Sequence, residues 1–579
     1  MNRNTESHFA LTPTVNIGRS KFDRSFDMKT TFNCGDLIPI YCSDVLPGDS
    51  IKMRMSEVVR MMTPIAPVMD NCYLDTYFFF VPNRLVWDHF VNFMGENDTA
   101  PWAQTNTYEI PQLTAPASGW KKGSLADYFG IPTEVTNISV SALPFRSYCK
   151  IWNDWFRDEN LKNPLYMSTG DSTTTGKDKT TEGANYDPVT MTECGAAPVK
   201  AAKFHDYFTS CLPNSQKGSS VQIPLGNTAP VVFGDPENAY SSYYPIDSSK
   251  NGNSVGAIQY ESNGNKVSVI YDAETPSFLQ TGKSYGLAAD LSNAVGATVT
   301  QLRQAFAIQK YLEKDALYGT RYIESVRAHF GVTNPDFRVQ RSEYLGGKRI
   351  PININSLYGN QQTTAGLVPT YTDPDNPSPS TLTWETENGA PQGTPGAYSV
   401  TNDVNSDLWT HSFTEHGWVI GLAVVRCDHS YQQGINKMFL RKSKWDFYSP
   451  EFANLSNMPV YNAEIYAQGS TVINSDTGKP YDEEAFGYQE AWADYRYMPN
   501  LITGEMRSNY QTSLDIWHYG DDYSSLPNLG SDWIDEPKEN MERTLAVQSQ
   551  DQLFGDFYFG AIWTRPMPMY SIPGLIDHH

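Results

Sequence analysis

Hydrophobic positions along this chain fall into short segments with two different periods. Ile51, Met53 and Met55 alternate with Lys52, Arg54 and Ser56, the two-residue period of a strand with one buried face. Cys72–Val81 (CYLDTYFFFV) is almost continuously apolar, which predicts a strand buried on both faces and ended by Pro82 and Asn83. Gly417–Arg426 has the same character. A helical period marks Pro144–Asn160, where Phe145, Tyr148, Cys149, Trp152, Trp155 and Phe156 share a face and Pro144 suits a first helical position. A longer helical run steps through Ala305, Ile308, Leu312, Ala316, Gly319, Ile323, Val326 and Phe330, with Gly331 closing it.

Strands near both ends of the chain, with helices and long loops between, predict a mainly β protein. An antiparallel sandwich whose neighbouring strands come from distant sequence explains that layout. A doubly wound α/β sheet would need a regular strand–helix alternation, and none is visible. Between Leu161 and Leu302 the chain makes a polar excursion of about 140 residues. Within it, residues 168–190 are low-complexity, and 214–282 mix Asn, Ser, Gly and Tyr with short strand-like pieces such as Val267–Tyr271. A second polar stretch covers 361–407. Irregular inserts of that length are either disordered or carry function on an exposed surface. No repeat of fixed period is present.

At 579 residues the chain exceeds the size at which one core usually stops growing. Its 37 Pro and 41 Gly are spread throughout, which favours one domain with very large loops over several domains. The 35 Tyr suit surfaces that are buried yet not dry, such as subunit contacts; a Tyr-rich monomeric β protein is the bland alternative. The longest apolar run, Trp418–Val425, falls far short of the ~20 residues of a spanning helix. The opening MNRNTESHFALTPTVN lacks an apolar signal core, so secretion is not expected. Seven scattered cysteines without a C-x-x-C pair argue for free thiols and against a zinc ribbon.

The net charge of −22 is unevenly placed. Residues 445–579 hold 21 acids against 6 bases, whereas 426–444 carry Arg426, Lys437, Arg441, Lys442 and Lys444 against Asp428 alone. An acidic total confines any polyanion contact to local basic patches or to a separate basic protein. The run from Lys437 to Trp445 interleaves cations with aromatics, as single-stranded nucleic-acid surfaces do; ion pairing to the acidic C-terminal third is an equal competitor.

The search for enzyme chemistry fails. Gly170–Lys177 (GDSTTTGK) has the wrong glycine spacing for a phosphate loop, and Asp178 stands where Ser or Thr should hold the metal. His411, Glu415, His416, Cys427 and His429 match no standard zinc spacing and read as polar strand-edge residues. Asp482, Glu483 and Glu484, and separately Asp521 and Asp522, lack the calcium-loop pattern and read as solvated loops.

Several long segments resemble the major capsid proteins of gokushoviruses, small icosahedral single-stranded DNA phages of the Microviridae. They are 141–161 (SALPFRSYCKIWNDWFRDENL), 301–332, 344–355 (YLGGKRIPININ), 416–455 and 488–509, with TTFNCGDLIPIYCSDVLPGDS and the ending SIPGLIDHH fitting the same pattern. The resemblance spans nearly the whole chain and is weakest at 168–292 and 361–407, where the family places variable surface loops. It implies an eight-stranded viral jelly roll, an antiparallel β-sandwich with long loop insertions and a few helices. The core would take 1–167 and 293–579, interrupted by a surface protrusion at 168–292 and ending in an acidic C-terminal arm. It further implies a T=1 icosahedral homo-oligomer around a circular ssDNA genome, and it supplies no catalytic residue to carry over; no cofactor is expected, and no metal ligand is named. The implied partners are a small basic DNA-packing protein, a minor pilot protein, an internal scaffolding protein during assembly and a host cell-surface receptor. The virion, and the bacterial host cytoplasm during assembly, are the implied locations. On this reading Lys437, Arg441, Lys442, Lys444, Arg19, Lys21 and Arg24 face DNA, and Tyr240, Tyr243, Tyr244, Tyr260 and Tyr271 contact the host. A lectin-like or carbohydrate-active jelly roll is the competing class, disfavoured by the lack of a signal core, of paired cysteines and of an evident carboxylate pair.

Overall fold

The computed structural model describes residues 17–96, 108–171, 197–218, 299–333, 340–358 and 395–570, with short stretches between them. Nine strands form two antiparallel sheets: β1 (Ser20–Asp23), β2 (Phe26–Phe32), β3 (Ile38–Val45), β4 (Ser50–Met61), β5 (Cys72–Pro82), β6 (Glu343–Pro351), β7 (Thr401–Ser412), β8 (Gly417–Cys427) and β9 (Leu553–Arg565). In one sheet β1 and β2 pair successive parts of β9, β9 pairs β4, and β4 pairs β7. The other runs β6-β5-β8-β3.

Side-chain alternation explains how the sheets meet. Ile51, Met53, Met55 and Val59 of β4 and Phe557, Phe559, Ala561 and Trp563 of β9 face inward. Opposite them lie Ile38, Ile40, Leu74, Phe78, Val419, Ala423 and Val425 of the second sheet, in one continuous core. The other face of that sheet, through Phe79, Val81, Ile420, Leu422 and Val424, is covered by helix α1 (Leu143–Ile151) with Phe145, Tyr148 and Cys149. Strands β5 and β8 are thus buried on both sides, as their unbroken apolar sequences predict. Asp75 sits inside β5 and is buried because Arg349 (2.6 Å) and Arg426 hold it.

Two helical expectations are corrected. The α-helix starting near Pro144 ends at Ile151, continues as a π turn over Trp152–Phe156, and stops at Arg157, whose ψ of 124° is extended. The Asp158 carboxylate then accepts from the Asn160 and Leu161 amides, favouring a turn over further helix. The long run through Gly319 is two helices, α2 (Val299–Tyr318) and α3 (Tyr322–Phe330). Gly319 takes φ +93°, outside any right-handed helix, while Gly331 closes α3 at φ +69°.

The chain divides into two compact units, Met1–Ser215 with Gly319–His579, and Gln216–Tyr318. The second unit contains α2, the strand pair Val231–Gly234 with Gly286–Ala289, and the pair Gln259–Tyr260 with Val267–Ser268. The first unit has a third buried cluster, Tyr207, Phe208, Tyr431, Val460, Phe486 and Trp533, which gives the long connection from β8 to β9 its own core.

Candidate functional site

The segment after β8 is held in shape by ion pairs and short capped turns. Asn436 caps a 3-10 turn at Lys437–Phe439, and Asp446 accepts from the Lys442 and Ser443 amides (2.8 and 2.7 Å) to close the next turn. Lys437 is mostly buried: it donates to the Pro459 carbonyl (2.7 Å), pairs with Glu464 (3.6 Å) and lies over the Tyr461 ring. Arg441 is also mostly buried, paired with Asp494 and stacked 4.3 Å from the Tyr495 ring centre. Lys442 is exposed near Glu483 (3.3 Å), and Lys444 lies 4.4 Å over the Trp445 ring. Three of the four cations are therefore paired with acids of the C-terminal third.

Around these cations is an aromatic platform. Tyr448 meets the Trp492 ring edge-on at 5.6 Å and the Tyr495 ring at 6.3 Å, Trp445 meets Phe452 at 5.9 Å, and Arg441 lies 5.6 Å from Phe447. Trp492 is buried at φ +64°, a conformation that costs a non-glycine residue about 1–2 kcal/mol. Its indole donates to the Phe452 carbonyl (2.9 Å), one of the contacts that hold it there.

The N-terminal cations lie on the five-stranded sheet. Arg19 donates to the Gly48 carbonyl and to Ser50 (2.8 Å), Lys21 is exposed opposite Thr564, and Arg24 lies 4.5 Å over the Trp563 ring. Of the tyrosines read as host contacts, Tyr240, Tyr243, Tyr244 and Tyr271 lie outside the described residues; Tyr260 is in a short strand whose side chains are not described.

The suggested metal clusters resolve into separate pairings. His411 faces Glu343 (3.7 Å) and Glu415 pairs with Arg84 (2.8 Å). Asp482 accepts from the Gln468 and Gly469 amides, and Glu484 from Asn474. Asp521 is not solvated. It is buried with Lys203 (3.4 Å) and with His429, whose Nδ1 is 3.1 Å from Asp521 and whose Nε2 is 3.0 Å from Glu536. Burial would lower the His429 pKa, but Asp521 and Glu536 outweigh it and hold the group up at about 10. Burial would likewise raise the Asp521 pKa; Lys203 and His429 hold it well below the usual carboxylate range.

Sequence reasoning missed this cluster, because its members are 92 and 107 positions apart. Glu536 also lies within 4.8 Å of the Cys34 and Cys427 sulfurs, but the donors have other uses. Glu536 accepts from the Cys427 amide (3.2 Å), and the Cys34 thiol donates to the Val425 carbonyl (3.3 Å). Among the described residues, cysteines 34, 42, 72, 149, 211 and 427 form no disulfide. No helix among the described residues is long and apolar enough to cross a membrane.

Comparison with known proteins matches this chain over nearly its whole length. The chain is 39% identical to the Capsid protein VP1 of Bdellovibrio phage phiMH2K over 578 residues, covering 99% of this chain and 98% of that protein. It is 40% identical to the Capsid protein VP1 of Spiroplasma virus 4 over 575 residues (98% and 97%), and 36% identical to that of Chlamydia phage 1 over 621 residues (98% of each). The resemblance read from the sequence is borne out. The profile of the phage capsid protein (F protein) family matches residues 10–370 and 376–575, and the chain belongs to that family as a structural major capsid protein of the virion, not an enzyme.

Proposed function

We propose that the chain assembles into a closed T=1 icosahedral shell enclosing a circular single-stranded DNA genome. The observation that carries this reading is strand order. With β1 and β2 taken as one interrupted strand, β2-β9-β4-β7 opposite β3-β8-β5-β6 is the order of an eight-stranded jelly roll, which supports a viral sandwich displaying long connections. Symmetric contacts between identical copies then build the container, each obligate interface being about 2,000 Å² or more.

The net charge of −22 supports a division of labour in which a small basic protein neutralises most of the genome. Lys437 and Arg441 are committed within the chain, so genome contact is assigned first to Lys21, Arg24 and Arg19. The polar insert at 168–292 forms the outward protrusion and meets the host receptor through its tyrosines. A pilot protein and an internal scaffold complete the virion and its assembly in the host cytoplasm.

Expression of the chain, followed by a sizing column and negative-stain imaging, tests the shell. Closed particles, or small oligomers that convert to them, are expected. A stable monomer at high concentration refutes the proposal.

A further inference from the structure

We infer that the aromatic platform after β8 is a contact surface for a second copy of this chain, and that it is not a base-stacking surface for DNA. The inference rests on the shell reading above and names one of its contacts. Trp445, Phe447, Tyr448 and Tyr495, flanked in sequence by Phe439 and Met498, are between 48% and 74% exposed. At roughly 200 Å² for a whole large side chain, their exposed parts amount to about 700 Å². The four rings of the platform itself account for about 430 Å² of this, the size of the largest apolar patch on a typical monomer, and with Phe439 and Met498 the total approaches the ~800 Å² that each partner gives a standard interface.

Charge decides between the two occupants. A polyanion needs a surplus of unpaired cations. Here Lys437, Arg441, Lys442 and Arg496 face Glu464, Asp494, Glu483 and Glu490, leaving Lys444, and Lys444 lies over Trp445. The platform is therefore close to neutral in charge while rich in exposed aromatic area. A protein surface fits that combination, with apolar rings in the centre and paired charges at the rim. A second copy supplies a fitting rim, because its Glu483 and Glu490, still 57% and 41% exposed, can face Lys444 and the exposed Lys442.

The platform is also built in advance. The Asp446 capping bonds and the left-handed backbone at Trp492 fix the rings before any partner arrives, so little ordering remains to be done on contact.

The test compares free subunits with assembled particles. Met498 oxidation by dilute peroxide is expected to be about tenfold slower in particles than in subunits, because oxidation follows exposure. The protection is expected to persist in particles emptied of DNA. Trp445→Ala with Phe447→Ala is expected to lower particle yield about tenfold, one interface contact's worth at each copy. Met498→Ser provides a milder second variant, and circular dichroism reports whether each subunit is folded. Particles forming at wild-type yield from the folded double variant overturn the inference. So does Met498 protection that disappears with the DNA, which assigns the surface to nucleic acid. Failure of the wild type to form particles overturns instead the shell reading on which the inference stands.

Discussion

Replacing His429 by Ala tests how a buried charge cluster ties β8 to the C-terminal segment. The imidazolium bridges Asp521 and Glu536, and all three groups are sealed from water. Its folded pKa is about 10 against an ordinary 6.5. A group whose pKa is raised on folding stabilises the fold fully below its unfolded value and loses that contribution as pH rises through its folded value. The window here opens at pH 6.5 and closes near pH 10.

Removing one member of a buried ion cluster costs about 3–5 kcal/mol, and a pKa difference at about 1.4 kcal/mol per unit gives a contribution of the same order. With an unfolding entropy of about 2.1 cal/mol/K per residue, a unit of this size should shift its melting temperature by about 3–5 °C. The assay is thermal unfolding of dissociated subunits, wild type against His429→Ala, at several pH values across that window. The variant is expected to melt lower at the acidic end, and the gap to narrow toward the alkaline end as the wild type loses its own proton. A gap that stays constant across the window puts the effect in packing rather than charge and refutes the reasoning. So does the lack of any gap at the acidic end.

Trp563→Ala removes a fully buried ring from the core of the sandwich and is expected to cost about 3–5 kcal/mol in denaturant unfolding. Gly421→Ala places a Cβ 2.7 Å from the Phe78 ring and 2.8 Å from Tyr41 Cβ, so a loss of about 1–3 kcal/mol is expected in the same assay. Deleting 214–282 is expected to leave soluble, assembling protein that no longer attaches to host cells; loss of all soluble protein refutes the display role. Lys21→Glu with Arg24→Glu is expected to lower the DNA content of particles, read as absorbance at 260 nm relative to protein.

Much of the sandwich was legible because burial leaves a local signature. Strand β4 alternates because one face meets the core, while β5 and β8 are continuously apolar because both faces are covered. Strand β9 was not singled out, since its outward positions Phe554, Tyr558 and Ile562 are themselves large and apolar and blur the two-residue period. The helix break at Gly319 was hidden because the glycine falls on the apolar step of the run. The basic run after β8 was visible, but its acidic partners Glu464, Glu483 and Asp494 are brought to it only by the fold. The His429 cluster had no local pattern at all, because three distant segments meet there.

Strand β9 fills the slot between the N-terminal strands and β4, so the middle of the five-stranded sheet is synthesised after every other strand of the sandwich. Until the ribosome has delivered it, β2 and β4 keep open edges that any similar nascent chain can zip onto. Closure by β9 therefore acts as a timer: a subunit becomes safe to concentrate only once this last strand, ending at Arg565, has left the ribosome, which separates the period of vulnerability from the period of crowding.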